Sequence, residues 1–263
     1  RLRGDAGGQA EILGIAACDY PKIPGGTPAT CRFPGTAAAL FEYVLRAAGT
    51  DETRAHLCGV LMERDGADLA LVATDGHRLH HADLPFEGTV PAAGVLIPAK
   101  AIGIAARAKD PVSFGVAAGC ATFRYGDSTL TARLVDARFP PWKQVVPKDE
   151  SASWEADGHG GQIAALFREV GAFASGSGRT HGVKMTADGA DLLVTTNNPD
   201  LGQQRSGRVG LRTVRPCADG FAIGFNAHLV EEAVEDLGDN VRMRIGGELD
   251  PAKFSNGNRF AVI

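Results

Sequence analysis

The chain has 263 residues, 44% of them hydrophobic, and its 27 Lys and Arg against 31 Asp and Glu leave a net charge of −4. That apolar content supports a real core and excludes a disordered chain. No apolar run approaches the roughly 18 residues of a membrane span. The acidic balance argues against a wholly basic nucleic-acid binder, though not against a local basic surface on an acidic body. Five widely spaced cysteines without a C-x-x-C read as small buried hydrophobes in a reducing cytoplasm, not as a disulfide framework or zinc site. The first residues lack a secretory pattern, and a start at Arg1 instead of Met is expected of a fragment.

In chain order, residues 1–26 read as the end of a preceding unit, with a strand near 11–15, followed by a Pro- and Gly-rich linker around Tyr20-Pro21. Residues 35–49 predict a helix with Thr36 as its cap and Leu40, Phe41, Val44 and Leu45 on one face. Two strands then flank Asp65-Gly66, a tight turn in which glycine takes positive φ cheaply. They end on Ala73-Thr74-Asp75-Gly76-His77-Arg78-Leu79. A short strand at 95–97 leads through Pro98 into a second helix reaching about Ala108. Strands at 112–116, 121–125 and 129–135 precede a second aromatic-Pro linker at Phe139-Pro140.

The order then repeats. G-V-x-M-x-x-D-G-A-D-L begins at Gly59 and again at Gly182, 123 residues later. A helix over 162–173 precedes the second hairpin. Strands at 204–215 and 221–223, an Asn226-capped helix through Leu237, and strands at 241–245 and 259–263 follow it. The economical architecture is α+β: two tandem modules, each with two helices on antiparallel sheet, over 27–148 and 149–263.

Several motifs arrive together: Tyr20-Pro21, Thr74–Leu79, Ile97-Pro98-Ala99-Lys100, Arg133-Leu134-Val135-Asp136-Ala137-Arg138-Phe139-Pro140, Asn197-Asn198-Pro199 and Ile223-Gly224-Phe225-Asn226. In this order and spacing the chain resembles the bacterial DNA polymerase III beta subunit family, the sliding clamps, across its second and third domains. The resemblance implies DNA-clamp modules whose helices line the inner face of a ring around duplex DNA. It implies a processivity factor without catalytic residues, metal or cofactor, working in the cytoplasm. The partners it implies are the DNA polymerase III alpha subunit, the clamp loader complex, other clamp-binding-motif proteins, and further modules in a self-associated ring.

Sliding requires phosphate attraction that ignores sequence and stays weak. Arg46, Lys100, Arg107 and Lys109 are candidates on or just after the helices, and the resemblance adds Arg54. Matched positions place a hydrophobic peptide-binding pocket at Leu57, Thr74, Gly76, His77, Arg78, Leu79, Pro140, Gln144, Val145, Val262 and Ile263. Gln144 stands where the family often has arginine.

Some features depart from the family. This sequence has no counterpart of the family's first domain, it stops at Ile263 where the family usually continues with a Met-Pro-Met-like end, and the last helix carries Glu231, Glu232, Glu235 and Asp236, which would oppose phosphate. Arg205, Arg208, Arg212 and Arg215 read as a solvated outer strand face. Asp75 and His77 share a strand face as an acid–base pair would, yet no nucleophile elbow, P-loop or H-E-x-x-H accompanies them, and a structural turn is the simpler meaning. The rival reading is a clamp-like paralogue serving as a peptide-binding scaffold without encircling DNA.

Overall fold

A computed structural model describes residues 2–3, 9–10, 14, 16, 18–19, 26–108, 111–174, 182–198, 203–217 and 221–263. The strand expected at 11–15 (Gly14 apart), the Tyr20-Pro21 landmark, Pro199 and Lys109 lie outside them. A short ribbon pairs β1 (Leu2–Arg3) with β2 (Gln9–Ala10). The first module begins with β3 (Cys31–Phe33) and α1 (Ala37–Leu45). It continues through β4 (Gly59–Asp65), β5 (Asp68–Thr74), β6 (Leu79–Leu84), β7 (Glu87–Gly88) and β8 (Val95–Pro98). α2 (Ala99–Ala105), β9 (Val112–Ala117), β10 (Cys120–Tyr125) and β11 (Ser128–Arg133) close it.

The second module repeats this plan with β12 (Trp154–Gly158), α3 (Gly160–Gly171), β13 (Gly182–Asp188) and β14 (Asp191–Asn198). After them come β15 (Gln203–Gly210), β16 (Arg212–Arg215), β17 (Ala222–Asn226) and α4 (Ala227–Glu235). β18 (Val241–Ile245), β19 (Ala252–Asn256) and β20 (Arg259–Val262) end the chain. The strand orders match module for module. β11-β10-β9-β3-β7 corresponds to β20-β19-β18-β12-β16, and β6-β5-β4-β8 to β15-β14-β13-β17. The repeated Asp-Gly turns match as well, with Gly66 at φ +63° and Gly189 at +61°.

The modules join by strand pairing. β20 lies antiparallel to β6, with Phe260 opposite His81 and Val262 opposite Leu79, so a nine-stranded sheet runs through both. β5 shows why its sequence is apolar without a break. Leu69, Leu71 and Ala73 point into the helix-side core, while Ala70 and Val72 point into a second cluster with Leu61, Leu79, Leu96, Phe139, Trp142 and Val262. A strand covered on both faces has no polar face to show. The linker after β11 supplies that second cover, through Phe139 and the one-turn 3-10 helix Trp142–Gln144.

The helices pack in pairs, α1 with α2 and α3 with α4, and the carboxyl ends of α1 and α4 meet through Arg46. Phe33, Phe41, Phe114 and Phe123 fill the first module's core in edge and tilted contacts. Trp154, Phe167, Phe225 and Phe254 are buried in the second. Two local expectations divide. Asn226 caps α4, its side-chain oxygen accepting from the His228 amide at 3.1 Å. Thr36 does not cap α1: its backbone is already helical and its side chain makes no capping bond. Of the described cysteines only Cys31 is buried; Cys18 is exposed and the rest are half-buried, which corrects the expectation for all five.

Candidate functional site: a cleft at the module joint

Where β6 meets β20, the linker arches over the sheet and leaves a cleft of about 780 Å³. The eleven residues that the resemblance assigned to a pocket all line it: Leu57, Thr74, Gly76, His77, Arg78, Leu79, Pro140, Gln144, Val145, Val262 and Ile263. Position matching alone did not find Arg54, Trp142, Gly246, Asp250 and Pro251, which line it too. The loop at 246–251 had no local signal, because it reaches the cleft only once β18 and β19 are stacked beside β20.

The floor is apolar and already packed. Leu57 and Leu79 are each 3% exposed, whereas Val145 is 54% exposed on the rim. One wall is the turn after β5. The Asp75 carboxylate accepts the backbone N–H of His77 at 2.8 Å and of Arg78 at 3.0 Å, and the Arg78 Nε at 3.2 Å. The Thr74 hydroxyl accepts from the Gly76 amide and donates to the Arg78 carbonyl at 2.6 Å. These side-chain to backbone bonds hold a tight turn. Asp75 is thus a turn residue, while His77 is exposed.

Gly76 has φ +94°, and a Cβ there would come within 2.8 Å of an Arg54 guanidinium nitrogen. Arg54, which the resemblance places near DNA, lies across this glycine and lines the cleft. Arg78 also reaches the second module, donating to the Glu232 carboxylate on α4.

The acidic helix proves to be largely an intramolecular anchor. Glu231 and Glu235 receive Arg168 of α3 at 2.5 and 2.9 Å. Glu235 and Asp236 receive Arg46 at 3.2 and 2.7 Å. Arg46, expected to be free for phosphate, is therefore matched by carboxylates. Lys100 and Arg107 are exposed and form no ion pair among the described residues. The basic run does lie on an outer edge but is not simply solvated. Arg205 pairs with Glu169, Arg208 with Asp188, and Arg212 with Asp157, while Arg215 donates to the Ala152 carbonyl.

The adjacent histidines are buried on opposite faces of β6. His80 stacks on Tyr43 at 4.7 Å and bonds the Tyr43 carbonyl through Nδ1 at 2.9 Å. His81 stacks on Phe260 at 4.3 Å and meets Trp142 at 5.0 Å. Burial lowers both pKa values to about 4.

Tandem α+β modules joined edge to edge into one sheet, with all helices paired inside each module, define the DNA-clamp fold. Residues 36–141 match the family described as DNA polymerase III beta subunit, central domain. The chain is related to beta sliding clamps. It is 29% identical to that of Escherichia coli K12 over 201 residues, covering 74% of this chain and 52% of the relative. It is 30% identical to that of Caulobacter vibrioides over 217 residues, covering 78% and 56%. The chain thus spans about half the length of these curated relatives. Among solved structures, a Bacillus subtilis DNA polymerase sliding clamp superposes with a TM-score of 0.83 at 20% identity, over 95% of this chain and 67% of that one. A Pseudomonas aeruginosa sliding clamp bound to griselimycin gives 0.81 at 21%, over 95% and 68%.

Proposed function

We propose that this protein is part of a sliding clamp, a non-catalytic processivity factor of the cytoplasm that encircles duplex DNA and tethers a polymerase through the cleft. The observation that carries the reading is the cleft itself. An apolar floor with a polar rim, formed only where two modules meet, suits a short peptide docking as an extended segment. The module limits 27–148 and 149–263 belong to this proposal. So do the partners: duplex DNA without sequence preference, the DNA polymerase III alpha subunit, the clamp loader and other proteins with clamp-binding motifs.

Two strand edges support ring closure. β15 pairs only with β14, and β11 only with β10, among the described residues. These are the counterparts of β6 and β20, the edges that join within the chain. A neighbouring module or a second copy would pair at β11 and β15 by the same geometry, and a head-to-tail interface of that kind closes into a ring. For DNA, Lys100 and Arg107 are the described candidates that remain free to meet phosphate; Arg46 serves the joint instead.

The scaffold reading retains one specific support, the scarcity of free cations on the helices. The two separate on closed circular duplex DNA after incubation with a clamp loader. The clamp reading expects retention that ends when the circle is cut. Retention that survives cutting means ordinary binding, and no retention favours the scaffold.

For the cleft, Leu57 and Leu79 are too buried to serve as test positions. Alanine at both would cost the fold several kcal/mol, at about 2–5 kcal/mol per buried leucine. Val145→Asp is better, since the side chain is half-exposed. It is expected to weaken a labelled alpha-subunit clamp-binding peptide at least tenfold in fluorescence anisotropy with Tm nearly unmoved. Unchanged affinity would remove the peptide assignment.

A further inference from the structure

Nearly every charged group around the joint has an opposite partner. Arg78 has Asp75 and Glu232, Lys143 has Asp65, Arg244 and Lys253 share Asp149, and Arg46 has Glu235 and Asp236. Two groups in the cleft wall do not. Arg54, from the first module, makes no ion pair or side-chain hydrogen bond among the described residues; the nearby Asp51 carboxylate accepts from Thr53 and feels the Arg54 charge only at longer range, as the weakest of the influences on it. Asp250, from the second module, makes no ion pair either; its carboxylate lies over Gly246 and Gly247, 2.6 and 3.1 Å from where a Cβ would sit. Beside it Leu249 is 99% exposed. The apolar cleft is therefore bordered by a cation on one module and an anion on the other, neither in an ion pair among the described residues.

We infer that the cleft reads the direction of its ligand: a partner's extended apolar segment binds with an acidic side chain against Arg54 and a basic one against Asp250. This rests on the peptide reading above and adds the partner's charge pattern. An apolar floor holds either direction of a short segment about equally, because burial has no sense along the chain. Opposite charges on the two walls break that symmetry, attracting one order and repelling the other. Leu249 gives the residue next to the basic one an apolar contact outside the main floor. Both charges are exposed, so the effect is modest and salt-sensitive.

The test uses three labelled peptides built on the clamp-binding segment of the alpha subunit. One is unmodified, one carries Glu before and Lys after the segment, and one carries them exchanged. At low salt the two charged peptides should differ about five- to tenfold in Kd, and 0.5 M salt should erase most of the difference. An Arg54→Glu, Asp250→Lys double variant, altering only exposed side chains, should invert the preference. Equal binding of the two orders, or a preference unchanged in the double variant, overturns the charge reading while the cleft stands. Failure of the unmodified peptide to bind overturns both.

Discussion

Trp142→Ala is expected to cost about 3–5 kcal/mol of stability, and with it most of the cleft's affinity for a peptide. Trp142 is buried under the linker and belongs to the cluster with Leu61, Leu79, Leu96, Phe139 and Val262. Its indole N–H donates to the Glu63 carboxylate at 2.9 Å, its ring faces His81, and Lys143 lies 5.3 Å above it. Alanine would open a cavity and also leave Glu63 without its donor, two separate penalties. The cleft is affected because Pro140, Gln144 and Val145 flank this one anchored side chain. Trp142→Phe separates the contributions. It keeps most of the volume and loses the hydrogen bond, so about 1 kcal/mol should go while the peptide still binds. Urea unfolding and anisotropy on the three proteins decide it. A Trp142→Ala protein as stable as the parent would mean that the linker is not held from this point.

Much of the fold was legible because its signals are local. The doubled Asp-Gly hairpin needs only glycine's freedom at positive φ, and the four described α-helices announce themselves by apolar spacing, by Pro98 at a start or by a cap such as Asn226. The strand β6 was not legible. Leu79-His80-His81-Ala82-Asp83-Leu84 shows no clean alternation, because each histidine faces a buried aromatic surface and polarity no longer marks the outside. Its pairing with β20, some 180 residues away, is a tertiary choice with no local trace. The same holds for the acidic helix. Glu231, Glu232, Glu235 and Asp236 look hostile to DNA until Arg46, Arg78 and Arg168 are brought to them from distant positions. In the cleft, Leu79 and Val145 were both apolar names in the sequence. Only packing tells that the first is floor and the second is rim, and only packing brings Asp250 to face the same space as Arg54.

The larger expected effect is of acid on the joint. His80 and His81 titrate near 6.5 when unfolded and near 4 in the folded chain. Between these values the unfolded chain binds more protons, so stability is complete above about pH 6.5 and falls as pH drops toward 4. A shift of that size is worth roughly 3 kcal/mol for each ring, a large part of the 5–15 kcal/mol typical of a folded domain. The geometry explains why neither ring takes a proton easily. Nδ1 of His80 is committed to the Tyr43 carbonyl, and its Nε2 is buried without a hydrogen-bond partner among the described residues, so a second N–H would find no acceptor among them. His81 has a buried Nδ1 with no hydrogen-bond partner among the described residues, and its Nε2 lies 3.7 Å from Asp83, too far for a strong bond. Asp83 itself is held above its usual pKa by burial and by Asp68 and Asp65, which weakens any rescue as pH falls. Urea midpoints measured from pH 7 to 5 should therefore fall steeply below 6.5. His81→Phe keeps the stack on Phe260 and Trp142 while removing one titration, and should roughly halve that slope. A parent protein whose midpoint does not move across this range would mean that these rings accept protons where they sit. Because both rings lie on the strand that binds β20, loss of stability should begin at the pairing that holds the two modules together.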